Sequence, residues 1–269
     1  MKRITFITAT FGLLACHYQA EAQSNYFSLQ TGYAIGVAQD VNQNYIQKES
    51  SGPETSENDY YSYGEGIQVK LSYGHLFNEA FGVELGMSQL FGKEHESTYE
   101  YSDSKSTNRD KVSLTIINPS IIYSFNNKRL SPYAKFGVCG SFGSITSNSS
   151  SVSSNSSYSD EYNITSKFNL GITSALGASF KLTDNFSLLG EASFMSSTFN
   201  PKKLTTTKSF SNDEDQLPNM TTREKEAVFV DEVTYDSDQE ASEDQPDEYP
   251  SMKLPLSNLA FSIGIKYSF

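Results

Sequence analysis

The sequence predicts an all-β protein, and within that class a closed eight-stranded up-and-down antiparallel transmembrane β-barrel. Three observations predict it. Bulky apolar residues alternate with small or polar ones in eight separate segments, the period-two pattern of a strand with two unlike faces. The connections between those segments are alternately short and long, which in a meander places all the tight turns at one end. Each segment runs to roughly 13–16 residues, where soluble strands average ~5–6 and a bilayer crossing needs about 9–11.

The elements follow in chain order. Lys2 and Arg3 precede an apolar stretch from Ile4 to Ala15, and Ala20-Glu21-Ala22 offers a small-x-small site before Gln23. This is the layout of a secretory signal peptide over residues 1–22. Leu13-Leu14-Ala15-Cys16 also resembles a lipobox, in which Cys16 would be lipidated. Cleavage after Ala22 is the preferred reading, because that site directly precedes the first strand. Residues 23–269 then form the barrel. With the signal removed, Cys139 is the remaining cysteine, so no intramolecular disulfide is expected.

The first strand carries Phe27, Leu29, Tyr33, Ile35 and Val37 on one parity, with Ser28, Gln30, Gly32 and Ala34 on the other. The second sets Ile67, Val69, Leu71 and Tyr73 against Gln68, Lys70 and Ser72. The third sets Phe81, Val83, Leu85, Met87 and Phe91 against Gly82, Glu84, Gly86 and Ser88. The fourth, Lys111 to Phe125, is mixed. Ile117, Ile121 and Tyr123 share a parity, while Leu114, Ile116 and Ile122 take the other. Pro119 lacks a ladder donor, and a bulge at Asn118-Pro119 is expected to switch the parity. The fifth strand centres on Phe136, Val138 and Phe142, the sixth on Leu170, Ile172 and Leu176, and the seventh on Phe186, Leu188 and Phe194. The eighth is the terminal FSIGIKYSF, with Phe261, Ile263, Ile265, Tyr267 and Phe269 on one face. Asn78-Glu79-Ala80, Asn126 to Ser131 and Thr183-Asp184-Asn185 are the tight turns. Residues 39–62, 96–110, 147–165 and 200–253 are the long loops.

An eight-stranded barrel has an interior just wide enough to be filled by side chains. The bulky set would overfill it and the small set fits. The barrel is therefore expected to be inside-out, apolar towards lipid and polar towards its bore. In hydrocarbon every backbone polar group needs a partner, so the last strand must pair with the first. The charges agree, since Lys70, Glu84, Lys135, Glu191 and Lys266 all lie on the small parity. Glu84 and Glu191 are expected to pair with some of these lysines and plug the bore. Phe77, Phe81, Phe125, Phe180, Phe186 and Phe269 flank the tight turns, as an interfacial aromatic girdle would.

On these residues the chain resembles the small outer-membrane β-barrels of Gram-negative bacteria: the OmpA transmembrane domain and its OmpX- and OmpW-like relatives, a porin-like barrel without a periplasmic domain. The signal peptide, eight alternating strands, uneven loops and terminal Ile263-Gly264-Ile265-Lys266-Tyr267-Ser268-Phe269 carry the likeness. It implies a cell outer membrane location, with periplasmic termini and extracellular loops. It also implies that Ile265, Tyr267 and Phe269 signal to the barrel-assembly machinery. The absence of Trp departs from girdles of this kind.

The loops carry most of the charge. The chain has a net charge of -12, and residues 200–250 hold 14 acidic against five basic residues. Asp213-Glu214-Asp215, Asp236-Ser237-Asp238 and Glu243-Asp244 invite a calcium reading, but there is no D-x-[DN]-x-[DN]-G loop, and such runs are usually solvated. Loose cation bridging to anionic surface glycolipid is the milder expectation. Ser147 to Ser159 is almost all Ser and Asn and is expected to be mobile. Asn148, Asn155 and Asn163 begin glycosylation-type triplets, without meaning in a bacterium.

No cofactor or metal is expected. His95, with Glu94 and Glu96 beside it, is the sole catalytic hint, and no hydrolase, zinc or phosphate-loop motif occurs, so the chain is not expected to be an enzyme. An acidic surface repels nucleic acid. Two functions remain: a membrane anchor presenting acidic loops for surface interaction, adhesion or envelope structure towards an unidentified extracellular partner, or a narrow porin-like channel for small solutes. A soluble ligand-carrying barrel fails on strand length.

Overall fold

The computed structural model describes residues 24–37, 40–47, 54–101, 103–125, 129–233 and 242–269. The segment expected to be a signal peptide, Cys16 and the carboxylates of Asp236 and Asp238 lie outside the described residues.

Eight strands form the barrel wall: β1 (Ser24–Gly36), β2 (Gly66–Leu76), β3 (Phe81–Gly92), β4 (Ser104–Ser124), β5 (Leu130–Ser153), β6 (Asn169–Lys181), β7 (Phe186–Ser196) and β8 (Asn258–Ser268). Each pairs antiparallel with the next in sequence. β8 returns to β1 in unbroken register, from Tyr26↔Ser268 to Gly36↔Asn258. Asn25 and Phe269 exchange backbone bonds of 3.2 and 2.9 Å. The ring is closed, which satisfies the hydrogen-bonding demand that hydrocarbon places on a sheet.

Its sidedness is the one the alternation predicts. Leu71, Leu176 and Ile263 point out, at 55%, 70% and 69% exposed, while their neighbours Ser72, Ala175 and Ser262 face the bore. At the tight-turn end the outward rings touch. Phe27 stacks on Phe269, Phe269 on Tyr267, and Tyr267 tilts against Phe186, with centroids 5.7, 6.0 and 5.0 Å apart. These contacts form one side of an aromatic belt. Leu71→Arg, near mid-strand on the lipid face, should lower folding free energy by about 2–4 kcal/mol in denaturant titrations into vesicles.

β4 departs from expectation. There is no bulge at Asn118-Pro119. The register against β3 runs unbroken through Leu85↔Pro119 and Gly86↔Asn118. Against β5 two pairs are skipped, but the register is the same on both sides of the gap, Ile117↔Gly140 and Ser120↔Gly137. Pro119 therefore interrupts the ladder without shifting it. One parity runs through the whole strand, and Leu114, Ile116 and Ile122 face inward, each buried.

The long loops are themselves largely β-structure. β4 and β5 continue beyond the ring and pair from Ser104↔Ser153 down to Ser124↔Tyr133. Ser156–Ser166 folds back on β5, Pro201–Ser211 pairs with it, and Glu226–Val230 and Asp247–Pro250 follow. On the other flank His95–Tyr101 pairs with β4, followed by Asp40–Gln47 and Glu54–Tyr61. Among the described residues ten strands, counting the two-residue Glu214–Asp215 that pairs with Pro201–Ser211, thus carry the barrel sheet on beyond the ring at the long-loop end. The Ser/Asn-rich stretch from Ser147 to Ser159, expected to be mobile, is the tip of its central hairpin. Polar side chains did not prevent a strand here, because ladders on both sides use the backbone groups and Ile145 packs inward against Ile164 at its base.

Candidate functional site

The bore is the most elaborated part of the molecule, and it is built in three layers. At the tight-turn end Ile122, Tyr133 and Leu189 pack together with Leu76. Above them lies an ionic layer. Lys135 Nζ donates to Glu84 Oε1 at 2.9 Å and to Glu191 Oε2 at 2.7 Å. Lys70 Nζ donates to Glu191 Oε1 at 3.1 Å and stands 3.7 Å from Glu84 Oε1. Each carboxylate also accepts from a tyrosine. Tyr26 Oη reaches Glu84 at 2.7 Å and Tyr133 Oη reaches Glu191 at 3.0 Å. Each charge thus has an opposite charge and a hydroxyl or second carboxylate in contact, as burial demands.

The sequence positions these groups through the strand period and through two glycines. Glu84 (β3), Lys70 (β2), Lys135 (β5) and Glu191 (β7) all lie on the inward parity. A Cβ on Gly74 would lie 2.1 Å from the Tyr26 ring, and one on Gly177 would lie 2.4 Å from that of Tyr133. Both tyrosines therefore lie flat across a glycine on a neighbouring strand to reach their carboxylates. Gly177→Val should push Tyr133 off Glu191 and lower stability by about 1–3 kcal/mol; the temperature at which the folded gel band is lost checks it. Lys266 is not part of the ion-paired set. Its Nζ lies 5.4 Å from the Tyr26 ring centroid.

The third layer departs from the expected polar bore. Towards the long-loop end, buried Leu90, Val112, Leu114, Ile116, Ile145 and Met195 fill the cylinder with Phe199 and Leu256. Thr198–Phe199 and Leu254–Pro255, at the two bases of the acidic loop, pair with each other and cap this core. Backbone bonds fix the cap: Leu256 N to Ser197 O at 3.1 Å, Tyr63 N to Pro255 O at 3.0 Å and Val37 N to Ser257 O at 2.9 Å. Sequence reasoning missed this layer. Its signal was the set of large apolar residues on the supposedly small parity, Leu90, Leu114, Ile116 and Met195.

Among the described residues, small cavities of about 20 and 50 Å³ lie in the bore, with Lys135 lining both. They are one-to-few-water spaces. Above the membrane, His95 packs against Tyr61 and Tyr63, 4.9 and 5.9 Å between centroids. Glu94 and Glu96 turn instead to Arg109, at 3.8 and 2.7 Å. Burial and nearby Asp110 push the Tyr63 hydroxyl far above its ordinary pKa, so it stays a donor to Asp110 at 2.8 Å. Among the described residues no group of His, Cys, Asp and Glu converges as a metal site. Asp213, Glu214 and Asp215 are exposed, and Asn212 and Asp213 take positive φ of 48° and 65° in a tight turn.

A closed, lipid-faced ring with a filled bore is an architecture with known relatives, and the family model of the outer membrane protein beta-barrel domain matches residues 6–216. The chain belongs to the outer membrane protein beta-barrel family. Among solved structures, this barrel protein is similar to neisserial surface protein A (NspA), with 13% identity over 93% of this chain and 100% of that one and a TM-score of 0.43. It is similar to OprG from Pseudomonas aeruginosa, with 10% identity over 92% and 96% and a TM-score of 0.45. It is also similar to Ail of Yersinia pestis, with 13% identity over 91% and 99% and a TM-score of 0.32. No curated protein sequence matches it. Family membership makes it an integral outer-membrane β-barrel protein.

Proposed function

We propose that this barrel is an anchor with a closed bore, and that the sheet at its long-loop end is the working surface, exposed outside the cell for interaction, adhesion or envelope structure. One observation carries the reading. An ionic layer lies between two apolar layers, and the upper one is capped by chain segments bonded across the mouth. A hydrated path would have to break both the cap and the pairs. In this reading the chain serves to present a surface. Planar-bilayer recording tests it: the protein should show no steady conductance, and stable open channels would establish the porin-like alternative.

The same reading places the termini and tight turns in the periplasm. An epitope inserted in the turn between Ser153 and Ser156 should be reached by antibody on intact cells. Acidic side chains of the 200–253 loop fit cation bridging to surface glycolipid. Several of its basic groups are already paired: Lys203 with Glu226 at 2.7 Å and Arg223 with Asp247 at 3.1 Å. Ile265, Tyr267 and Phe269 all point outward on the closing strand, where the assembly machinery could read them before the barrel seals. Phe269→Ala should cut the amount of assembled barrel in cells several-fold while refolding in detergent stays near wild type, since an exposed ring contributes little beyond its contacts with Phe27 and Tyr267.

A further inference from the structure

The bore-side face of the long-loop sheet carries a row of side chains that the sealing layers do not use. Tyr99, Ser106, Ser151 and Tyr158 stand directly opposite one another across four adjacent strands, so they share one face. That face continues the bore, because Ser106 has the parity of buried Val112 and Leu114, and Ser151 that of buried Ile145. Tyr99 is 40% exposed and Tyr158 52%. With strands ~4.8 Å apart, the two rings stand about 14 Å apart over a floor of serines. The next row towards the membrane places Asn108 and Ser149 on the same floor.

Charge sorts just as sharply. The basic residues of these strands in the sheet, Lys105, Arg109 and Lys111, have the opposite parity and point to the other face. The carboxylates on the groove side are Asp110 and Asp160, and His95, opposite Asp110 at the base of the sheet, is buried. Burial and adjacent Asp160 push the Tyr162 hydroxyl up to about 12, so it is a neutral hydrogen-bonding group as well.

We propose that this face is a groove for a neutral oligosaccharide, with Tyr99 and Tyr158 stacking on sugar rings and Ser106, Ser151 and Asn108 bonding their hydroxyls. Tyrosine offers a rigid, amphipathic platform of low conformational entropy, and Ser and Asn supply adaptable donors and acceptors. A peptide's apolar side chains would find no pocket on a serine floor. Sulfated or phosphorylated ligands would meet carboxylates, with the lysines and arginine of these strands on the far side and His95 buried beneath. The inference rests on the reading of this sheet as the outward surface.

The test uses the full protein refolded in a sugar-free amine-oxide detergent and applied to arrayed neutral, sialylated and sulfated glycans and basic peptides. Neutral glycans should bind, and Tyr99→Ser and Tyr158→Ser should each weaken binding by about tenfold. Tyr99→Phe, which keeps the ring, should retain it, as should Val152→Ser on the opposite face. All variants should keep the folded gel band, which separates lost binding from lost structure. No neutral-glycan binding, preference for sulfated glycans or peptides, or binding undiminished in both serine variants would overturn it. Antibody labelling of the Ser153–Ser156 turn on intact cells reports orientation separately, so the failure of one reading is distinguishable from that of the other.

Discussion

Lys135→Met should lower the unfolding free energy of the refolded barrel by about 3–5 kcal/mol, the usual effect of removing one partner from a buried ionic group. Lys135 is the hub of the bore. Its ammonium makes the two shortest ion pairs of the layer, 2.9 and 2.7 Å to the two carboxylates, and its side chain is 6% exposed against 1% for each glutamate. Without it Glu84 retains Tyr26 and a lysine at 3.7 Å, and two anions face each other across one remaining cation. Lys266→Met should cost far less, because among the described residues no carboxylate is ion-paired to it. The double variant Lys135→Met/Glu84→Gln should recover a large part of the loss, since it leaves the Lys70–Glu191 pair at 3.1 Å balanced and shows the non-additivity of contacting residues. Urea titration in vesicles reads all three. Equal losses from Lys135→Met and Lys266→Met would contradict the assignment of the hub.

Phe199→Ala should be similarly severe, at about 3–5 kcal/mol. The ring is fully buried, with Leu256, Leu90 and Leu114 in the same fully buried cluster. It sits on a two-residue strand tied to Leu254–Pro255, so little of the surroundings can collapse into the space. The same residue joins the acidic loop to the barrel. Limited proteolysis within residues 201–233 should therefore speed up in Phe199→Ala, while the outward-facing Phe194→Ala, only a few residues away on β7, should leave that rate unchanged. An unchanged stability for Phe199→Ala would mean that the cap does not close the bore.

These predictions draw on two kinds of legibility. Strand identity, order, closure and facing all followed from the parity of residues such as Leu71/Ser72 and Ile263/Ser262, because lipid outside and a narrow bore inside leave a strand no other orientation. The acidic and basic residues that meet in the ionic layer could be nominated from the same parity, although which lysine is the hub depends on how the strands stagger, which alternation does not encode. Two features were hidden. Leu114 and Ile116 looked like a parity fault near Pro119, when they are the floor of an apolar core fed by distant segments at Phe199 and Leu256. The Ser/Asn hairpin looked unable to order itself, because composition records what side chains can bury and not which ladders the backbone will join. Both misses are tertiary effects, set by neighbours far away in sequence.

Spin labels scanned along β8, with Cys139 replaced by alanine and the protein in lipid vesicles, test the central claim most directly. Collision with oxygen, which concentrates in lipid, should be high at 259, 261, 263 and 265 and low at 260, 262 and 264, with a polar nickel reagent reaching neither set. Even-numbered labels as oxygen-accessible as odd ones, or open to nickel, would contradict a lipid-faced wall around a sealed bore.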